Sequence, residues 1–357
     1  MDAKRLLGIF VLVGLAAGLQ AHPPARAQTS APGPSAVILL PSVSRAFDIG
    51  WVDPASHRYY LGDRTNAAID VVDTTSNTLV TQIGGFVGAK ASNDASGPDG
   101  VLVIPDANQL WAGDGDSTVK VIDLTTDSII ATISTGGTTR ADEMAYDAAD
   151  HIFIVTNDAE TPPYVSLIST TSMTVLGKVP FPDATDGIEQ PSWSADTGLF
   201  YQAVPVSKTN AGGEIDVIDP KTMQITGVFP LDTCKPAGTV IGPNRQLLAG
   251  CSDPGRSEII DIGSGSIVAT ITQIGGSDEV WYNPGDNRYY LAASGATSDG
   301  TSKGRSTPTL GVIDAATNTW LMNVPTVGAA HSVAADPATN AVYVPIPNIG
   351  IAVYQIP

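Results

Sequence analysis

The sequence predicts an all-β fold, a seven-bladed β-propeller, and three observations carry that prediction. Six times an apolar strand runs into a turn and out along a second strand: "IDVVDTTSNTLVTQI", "VKVIDLTTDSIIATI", "VSLISTTSMTVLGKV", "IDVIDPKTMQITGV", "IIDIGSGSIVATI" and "LGVIDAATNTWLMNV". The turn residues are Asp73, Asp123, Ser169, Asp219, Asp261 and Asp314, spaced 42 to 53 residues apart. Self-similarity at this period means one four-stranded sheet per repeat. The third observation joins the two ends. The last repeat, "HSVAADPATNAVYVPIPNIGIAVYQIP", stops after its third strand, while "AVILL" at Ala36–Leu40 has no place in the first repeat. As the outer strand of the seventh blade it would close the ring and cover open sheet edges. Six blades with a stray terminal hairpin is the alternative.

Residues 1–27 read as a secretory signal peptide. Lys4 and Arg5 precede an apolar run from Leu6 to Leu19, and Ala25-Arg26-Ala27 is a cleavage site. The run is too short for a membrane span, and no cysteine directly follows the leader to take a lipid anchor. Gln28–Ser35 is a Pro/Ser/Ala-rich flexible lead-in. Residues 36–357 then form one domain, since closely coupled repeats share a continuous core. The expected location is periplasmic or secreted. Cys234 and Cys251 are the two cysteines, an even count that suggests one disulfide in an exported chain.

Each repeat divides into strands A to D, with A innermost. In the first, A spans Phe47–Val52, B Tyr59–Leu61, C Ala68–Val72 and D Thr78–Ile83. Alternating Val, Ile and Leu support strands packed on both faces. Asp at the C–D turn accepts backbone N–H groups two residues on. Later A strands are expected to begin near Pro98, Ala141, Ile188, Pro236, Ser277 and Ala330.

The strings "VIDLTTDSIIATI" and "AHSVAADPATNAVYVP" resemble the YVTN/YncE-type repeats of exported bacterial propellers, and "FIVTN" at Phe153–Asn157 is the nearest copy of the signature tetrapeptide. The resemblance covers essentially the whole mature chain. It implies the seven-bladed fold and no fixed catalytic set.

The A–B turns are short and alike, such as "DPASHR" and "DPATN". The B–C loops vary: "NDAETPP" in blade 3, "VPVSKTNAGG" in blade 4, and Ser294–Pro308 in blade 6. Variable loops on a rigid scaffold are where binding resides, although the blade 6 loop also reads as a mobile Gly/Ser linker. Aligning the A strands on their turns places Asp48, Asp99, Asp142, Glu189, Ala237, Asp278 and His331 in one register, with Glu143, Gln190 and Glu279 directly after three of them. Pseudo-symmetry would gather these groups at the channel mouth on the B–C face. Carboxylates so gathered must protonate, pair with a cation or stay hydrated. Ca²⁺ would suit an all-oxygen ring, and His331 would suit a transition ion. Arg45, Arg64, Arg140 and Lys235 offer salt bridges between blades instead. A third reading has each acid capping strand A by accepting backbone N–H groups.

The formal net charge of -18 argues against nucleic acid or anionic lipid as partners. His57 and His151 fall in A–B turns, away from His331, and no nucleophile elbow, C-x-x-C-H or H-E-x-x-H occurs. "DGDS" at Asp114–Ser117 is a B–C turn, with no Glu at EF-hand spacing. Trp51 and Trp281 share a register and read as blade packing rather than a sugar platform, as do Trp111, Trp193 and Trp320. Two functions fit. One is a binding or scaffold propeller engaging a cation, a small polar molecule or another envelope protein. The other is a metal-dependent hydrolase, lactonase or lyase. There the divalent ion would sit on Asp48, Asp99, Asp142, Glu189 and Asp278, and Glu143, Glu279 or His331 would act as general acid or base.

Overall fold

The computed structural model describes residues 32–357. The expected signal peptide and the first half of the lead-in, residues 28–31, lie outside them. Among the described residues, 28 strands form seven four-stranded sheets. Each sheet is antiparallel, and six of them take their strands in chain order. In blade 1 the strands are Gly50–Asp53, Arg58–Asp63, Ala68–Asp73 and Thr78–Gly84. Strands B and C are buried on both faces, hence their unbroken apolar runs, while D alternates exposed and half-buried residues.

The C–D turns follow one chemistry. Asp73 Oδ1 accepts from the N–H groups of Thr75 and Ser76 at 2.9 and 2.7 Å, and Asp123, Asp261 and Asp314 repeat the pattern. A register shift just before the turn recurs in all six full repeats. The A–B turns end on a left-handed residue, usually Asn; His57 and His151 take that position with φ of 56° each. This explains the two histidines without a chemical role.

Ring closure is as the sequence predicts. Ala36–Ile38 pairs antiparallel with Gly350–Gln355, Val37 opposite Ala352, and becomes the outer strand of blade 7. Ser35 already donates its N–H to Val353 O at 2.7 Å. Ile38 is buried against Ile351 and Val353. Tyr59 of blade 1 stacks on Tyr343 of blade 7 at 4.9 Å, sealing the joint from inside. The seven apolar clusters lie mostly between adjacent sheets. One joins Trp111 and Val121 of blade 2 to Met144 and Phe153 of blade 3.

The A strands begin later than expected. They start at Val101, Met144, Pro191, Val280 and Ala334, and at Gly50 in blade 1, about three residues after the positions read from sequence; only blade 5 starts at Pro236 as predicted. The residues before them are ordered by single bonds rather than a ladder. Cys234 and Cys251 form the expected disulfide, closing 17 residues around the A and B strands of blade 5. The Ser294–Pro308 loop folds on itself: Thr297 bridges Ser306, and Ser298 N donates to Arg305 O at 2.9 Å. That order argues against a free linker. No helix among the described residues is long and apolar enough to cross a membrane.

Candidate metal centre on the propeller axis

The predicted register is real in the backbone. The N–H groups of Asp48, Asp99, Asp142, Glu189 and Asp278 donate to Gly62, Gly113, Thr156, Ala203 and Ala292, the equivalent carbonyls of each strand B. The next residue reaches across to the neighbouring blade. Gly100 N donates to Asp142 O, Gln190 N to Ala237 O, and Glu279 N to His331 O, at 3.2, 3.2 and 3.1 Å. Ala237 and His331 therefore occupy the register assigned to them. Blades come so close here that a Cβ on Gly100 would lie 2.3 Å from Asp142 O.

The side chains converge. Asp48, Asp99 and Asp142 are buried and present carboxylate oxygens within 4.8 Å of one another, a grouping that can hold a metal ion. Arg64, from the B–C turn of blade 1, pairs with Asp48 and with Asp99 of blade 2; its Nε donates to Asp99 Oδ1 at 2.9 Å. Arg140 Nη2 lies 2.7 Å from both Asp142 and Asp158. His331 Nε2 lies 3.4 Å from Asp48 Oδ1, its Nδ1 faces Ala329 O at 2.9 Å, and its ring stacks on Phe47. None of the three carboxylates accepts a backbone N–H among the described residues, so the capping reading fails for them: they face arginine and histidine instead. Arg45 and Lys235 make no ion pair among the described residues.

Glu143, Glu189, Asp278 and Glu279 complete the belt. Burial pushes Glu143 well above the usual carboxyl range, and the nearby Glu279 and Glu189 push it further; Glu279 is likewise raised, by burial first and then by Asp278. Burial likewise raises Glu189, helped by Asp278 and Asp142. Asp99 is raised by burial against the pull of Arg64. Asp142 is pushed up to about 8, by burial first, then by Asp158 and Asp48 against Arg140. Asp48 is the exception. Burial would raise it, but Arg64 and His331 together hold it below the usual range. Burial would lower His331, yet Asp48 and Asp278 raise it to about 9.

Seven buried carboxyl groups thus stand beside three basic side chains, of which Asp48, Asp99 and Asp142 make ion pairs. Two buried oxygens, Asp99 Oδ2 and Glu143 Oε2, have no hydrogen-bond partner. Of the four cations expected to bridge blades, Arg64 does so through Asp99, while Arg140 pairs with Asp142 and Asp158 of its own blade. Asp158, one residue past strand B of blade 3, carried no repeat signal and was missed.

No protein-family model and no curated protein matches the chain. Solved structures do. A chain of hydrazine synthase from Kuenenia stuttgartiensis superposes with a TM-score of 0.69 at 13% identity, covering 94% of this chain and 99% of that one. A chain of a mitotic checkpoint complex gives a TM-score of 0.69 at 11% identity, covering 98% and 99%. The chain is a seven-bladed β-propeller. At these identities the likeness extends to fold alone, and it assigns no family to the propeller.

The acid belt also meets a demand of the metal. Oxygen ligands sit about 2.3–2.6 Å from Ca²⁺, so two on opposite sides of the ion are roughly 4.6–5.2 Å apart. The Asp48, Asp99 and Asp142 oxygens lie within 4.8 Å of one another, no farther apart than two ligands of one such ion can be. Asp99 Oδ2, on the carboxylate that Arg64 holds through Oδ1, has no hydrogen-bond partner.

Proposed function

We propose that the chain is an exported binding propeller of the YVTN/YncE kind whose axial acid belt takes up a divalent cation, Ca²⁺ by the chemistry of its ligands. The carrying observation is the excess of carboxyl groups over bases in a buried belt with unpartnered oxygens on Asp99 and Glu143. Asp142 and Asp99 would supply first ligands, with Glu143, Glu189, Asp278 and Glu279 as further oxygens. Hard oxygen donors favour Ca²⁺ over ions that prefer nitrogen or sulfur. His331, already engaged with Asp48, would balance charge rather than bind the ion.

Burial favours an ion over an organic substrate. Asp99, Glu143 and Glu279 are 0%, 4% and 4% exposed, so a carbonyl or sugar ring has no direct approach to them. The bound cation would join blades 1, 2 and 3 at the B–C end. That end also carries the variable loops, including the ordered blade 6 loop, which lines a cavity of about 780 Å³ beside blade 5. An envelope protein or small polar molecule would be engaged there. The disulfide fits an oxidising compartment.

Metal analysis of purified protein, followed by calorimetric titration of chelated protein with Ca²⁺, tests the reading. One equivalent should bind and raise the melting temperature, and Asp142→Asn should weaken binding by about tenfold or more, the scale of losing one charged ligand. Absence of any Ca²⁺-dependent shift would leave the belt as a salt-bridge network. Turnover in a lactone and ester panel, lost on Glu143→Gln, would restore the hydrolase alternative.

A further inference from the structure

The opposite end of the axis carries different chemistry. The innermost strands of six blades enclose a cavity of about 460 Å³ that reaches the A–B turns at Pro105 and Ala148. A void of about 20 Å³ lies between it and the acid belt, lined by Ile49, Val101 and Val333 and reaching Glu279. Trp51 and Trp281 meet edge to face at 5.0 Å. They meet because Ala334 takes their register in blade 7: Trp51, Trp281 and Ala334 stand opposite Tyr60, Tyr290 and Tyr343. One register on, Tyr146, Trp193 and Tyr282 add three more half-buried rings to the wall. All five tryptophans pack in or against the apolar clusters, as expected; Trp51, Trp193 and Trp281 line this cavity as well.

Size, charge and hydrogen bonding define an occupant. The volume lies within the roughly 300–1,000 Å³ typical of small-molecule sites. No charged side chain lines the cavity, so a charged ligand would find no counter-ion. Trp111 and Trp320 give their indole N–H groups to Gln109 and Asn323, whereas those of Trp51, Trp193 and Trp281 have no protein acceptor among the described residues. Gln190, Ser192 and Thr239 on the wall mostly satisfy one another: Thr239 N donates to Gln190 Oε1 at 2.8 Å, and the two hydroxyls pair at 2.9 Å. The wall therefore offers aromatic faces and spare N–H donors. A structural core would bury these rings against each other rather than around open volume.

We propose that this cavity binds a small, uncharged, planar aromatic molecule bearing a hydrogen-bond acceptor. Its rings stack on the indoles and its acceptor takes an indole N–H. The site is independent of the cation belt and stands whether or not a metal binds there.

The probe is 6-propionyl-2-(dimethylamino)naphthalene, neutral, planar, bearing a carbonyl acceptor and blue-shifted when shielded from water, titrated into the full mature chain with tryptophan excitation. Energy transfer should saturate at one probe per chain, and the anionic anilinonaphthalene sulfonate should bind much less well. Trp281→Ala should weaken the probe by about tenfold, as loss of an aromatic anchor does. Ala148→Arg, on an exposed turn at the rim, should weaken it too without lowering the melting temperature, and decides the matter if Trp281→Ala does not fold. Non-saturating transfer, or equal affinity in wild type and Ala148→Arg, would overturn the proposal.

Discussion

Arg64 of blade 1 binds Asp99 of blade 2 through two nitrogens on one carboxylate oxygen, and the same guanidinium holds Asp48. The pair is nearly sealed, with the arginine side chain 7% and the aspartate 0% exposed. The cost of burying the acids is offset only while the base is present. Arg64→Met should therefore cost about 3–5 kcal/mol, the range for stranding a buried charge. Denaturant unfolding measures it. If the belt takes Ca²⁺, saturating Ca²⁺ should recover much of that loss, because the ion replaces the missing charge. An Arg64→Met protein as stable as wild type in chelator would mean that these acids are neutral in the fold.

Acidity should act on the metal-free protein in one direction above mildly acid pH. The folded state raises Asp142 to about 8, with burial first and Asp158 and Asp48 adding to it against Arg140. It raises Asp70 and Asp216 to about 7, both chiefly by burial. The contribution of each carboxyl is whole below its unfolded value of 3.8 and is lost as pH climbs through the folded value. His331 behaves alike: its contribution is whole below 6.5 and is lost through about 9. Asp48 and the turn acids Asp73, Asp123, Asp261 and Asp314 are lowered, so their contribution fades on the acid side. The melting temperature in chelator should peak at about pH 4–6 and fall steadily to pH 9. With Ca²⁺ the fall should shrink, since the ion favours the ionised belt. A melting temperature rising from pH 6 to 9 in chelator would contradict the assigned shifts.

The repeats were readable because their punctuation is local. An Asp that caps its own turn leaves the same mark five times, with Ser169 in its place once, and strands C and D were placed to within a residue on that mark. The axial register was readable for a related reason: it lies at a fixed distance from the A–B turn, and Asp48 N to Gly62 O is the same bond in blade after blade. Strand A starts were misplaced because the ring residues lie outside the ladder, bonded once to strand B and once across to the next blade. Arg64 and Asp158 were harder, since each comes from the end of strand B, where loop length varies. The aromatic cavity was hidden altogether. Whether Trp51 faces a neighbouring sheet or the axis depends on strand twist and on the size of its counterpart in blade 7, Ala334, neither of which a periodic pattern reports.

The disulfide offers a cleaner estimate. It closes a loop of 17 residues between two fully buried sulfurs. Loop entropy assigns about 3 kcal/mol to a closure of this length. Replacing both cysteines with alanine should cost at least that, read from denaturant midpoints, with little change in circular dichroism. An unchanged midpoint would mean that the unfolded chain is already constrained near blade 5.

Ring closure is the sharpest test of the architecture. Among the described residues, three ladder pairs, Ala36–Val353, Val37–Ala352 and Ile38–Ile351, together with the Ser35 bonds to Val353 O, hold the N-terminal strand to blade 7. A chain beginning at Pro41 would leave the edge of Gly350–Gln355 unpaired and expose the apolar cluster of Ile351 and Val353. It should unfold at lower temperature and associate through that edge, visible as dimers or larger species in light scattering. Ile38→Ala alone, which empties a buried position without removing the strand, should cost about 2–5 kcal/mol and leave the protein monodisperse. Adding the free peptide Ser35–Leu40 to the truncated chain should restore part of the melting temperature by occupying the vacant edge. A truncated chain that is monodisperse and as stable as the parent would show that six blades and a three-stranded seventh suffice, and that the closing strand is dispensable.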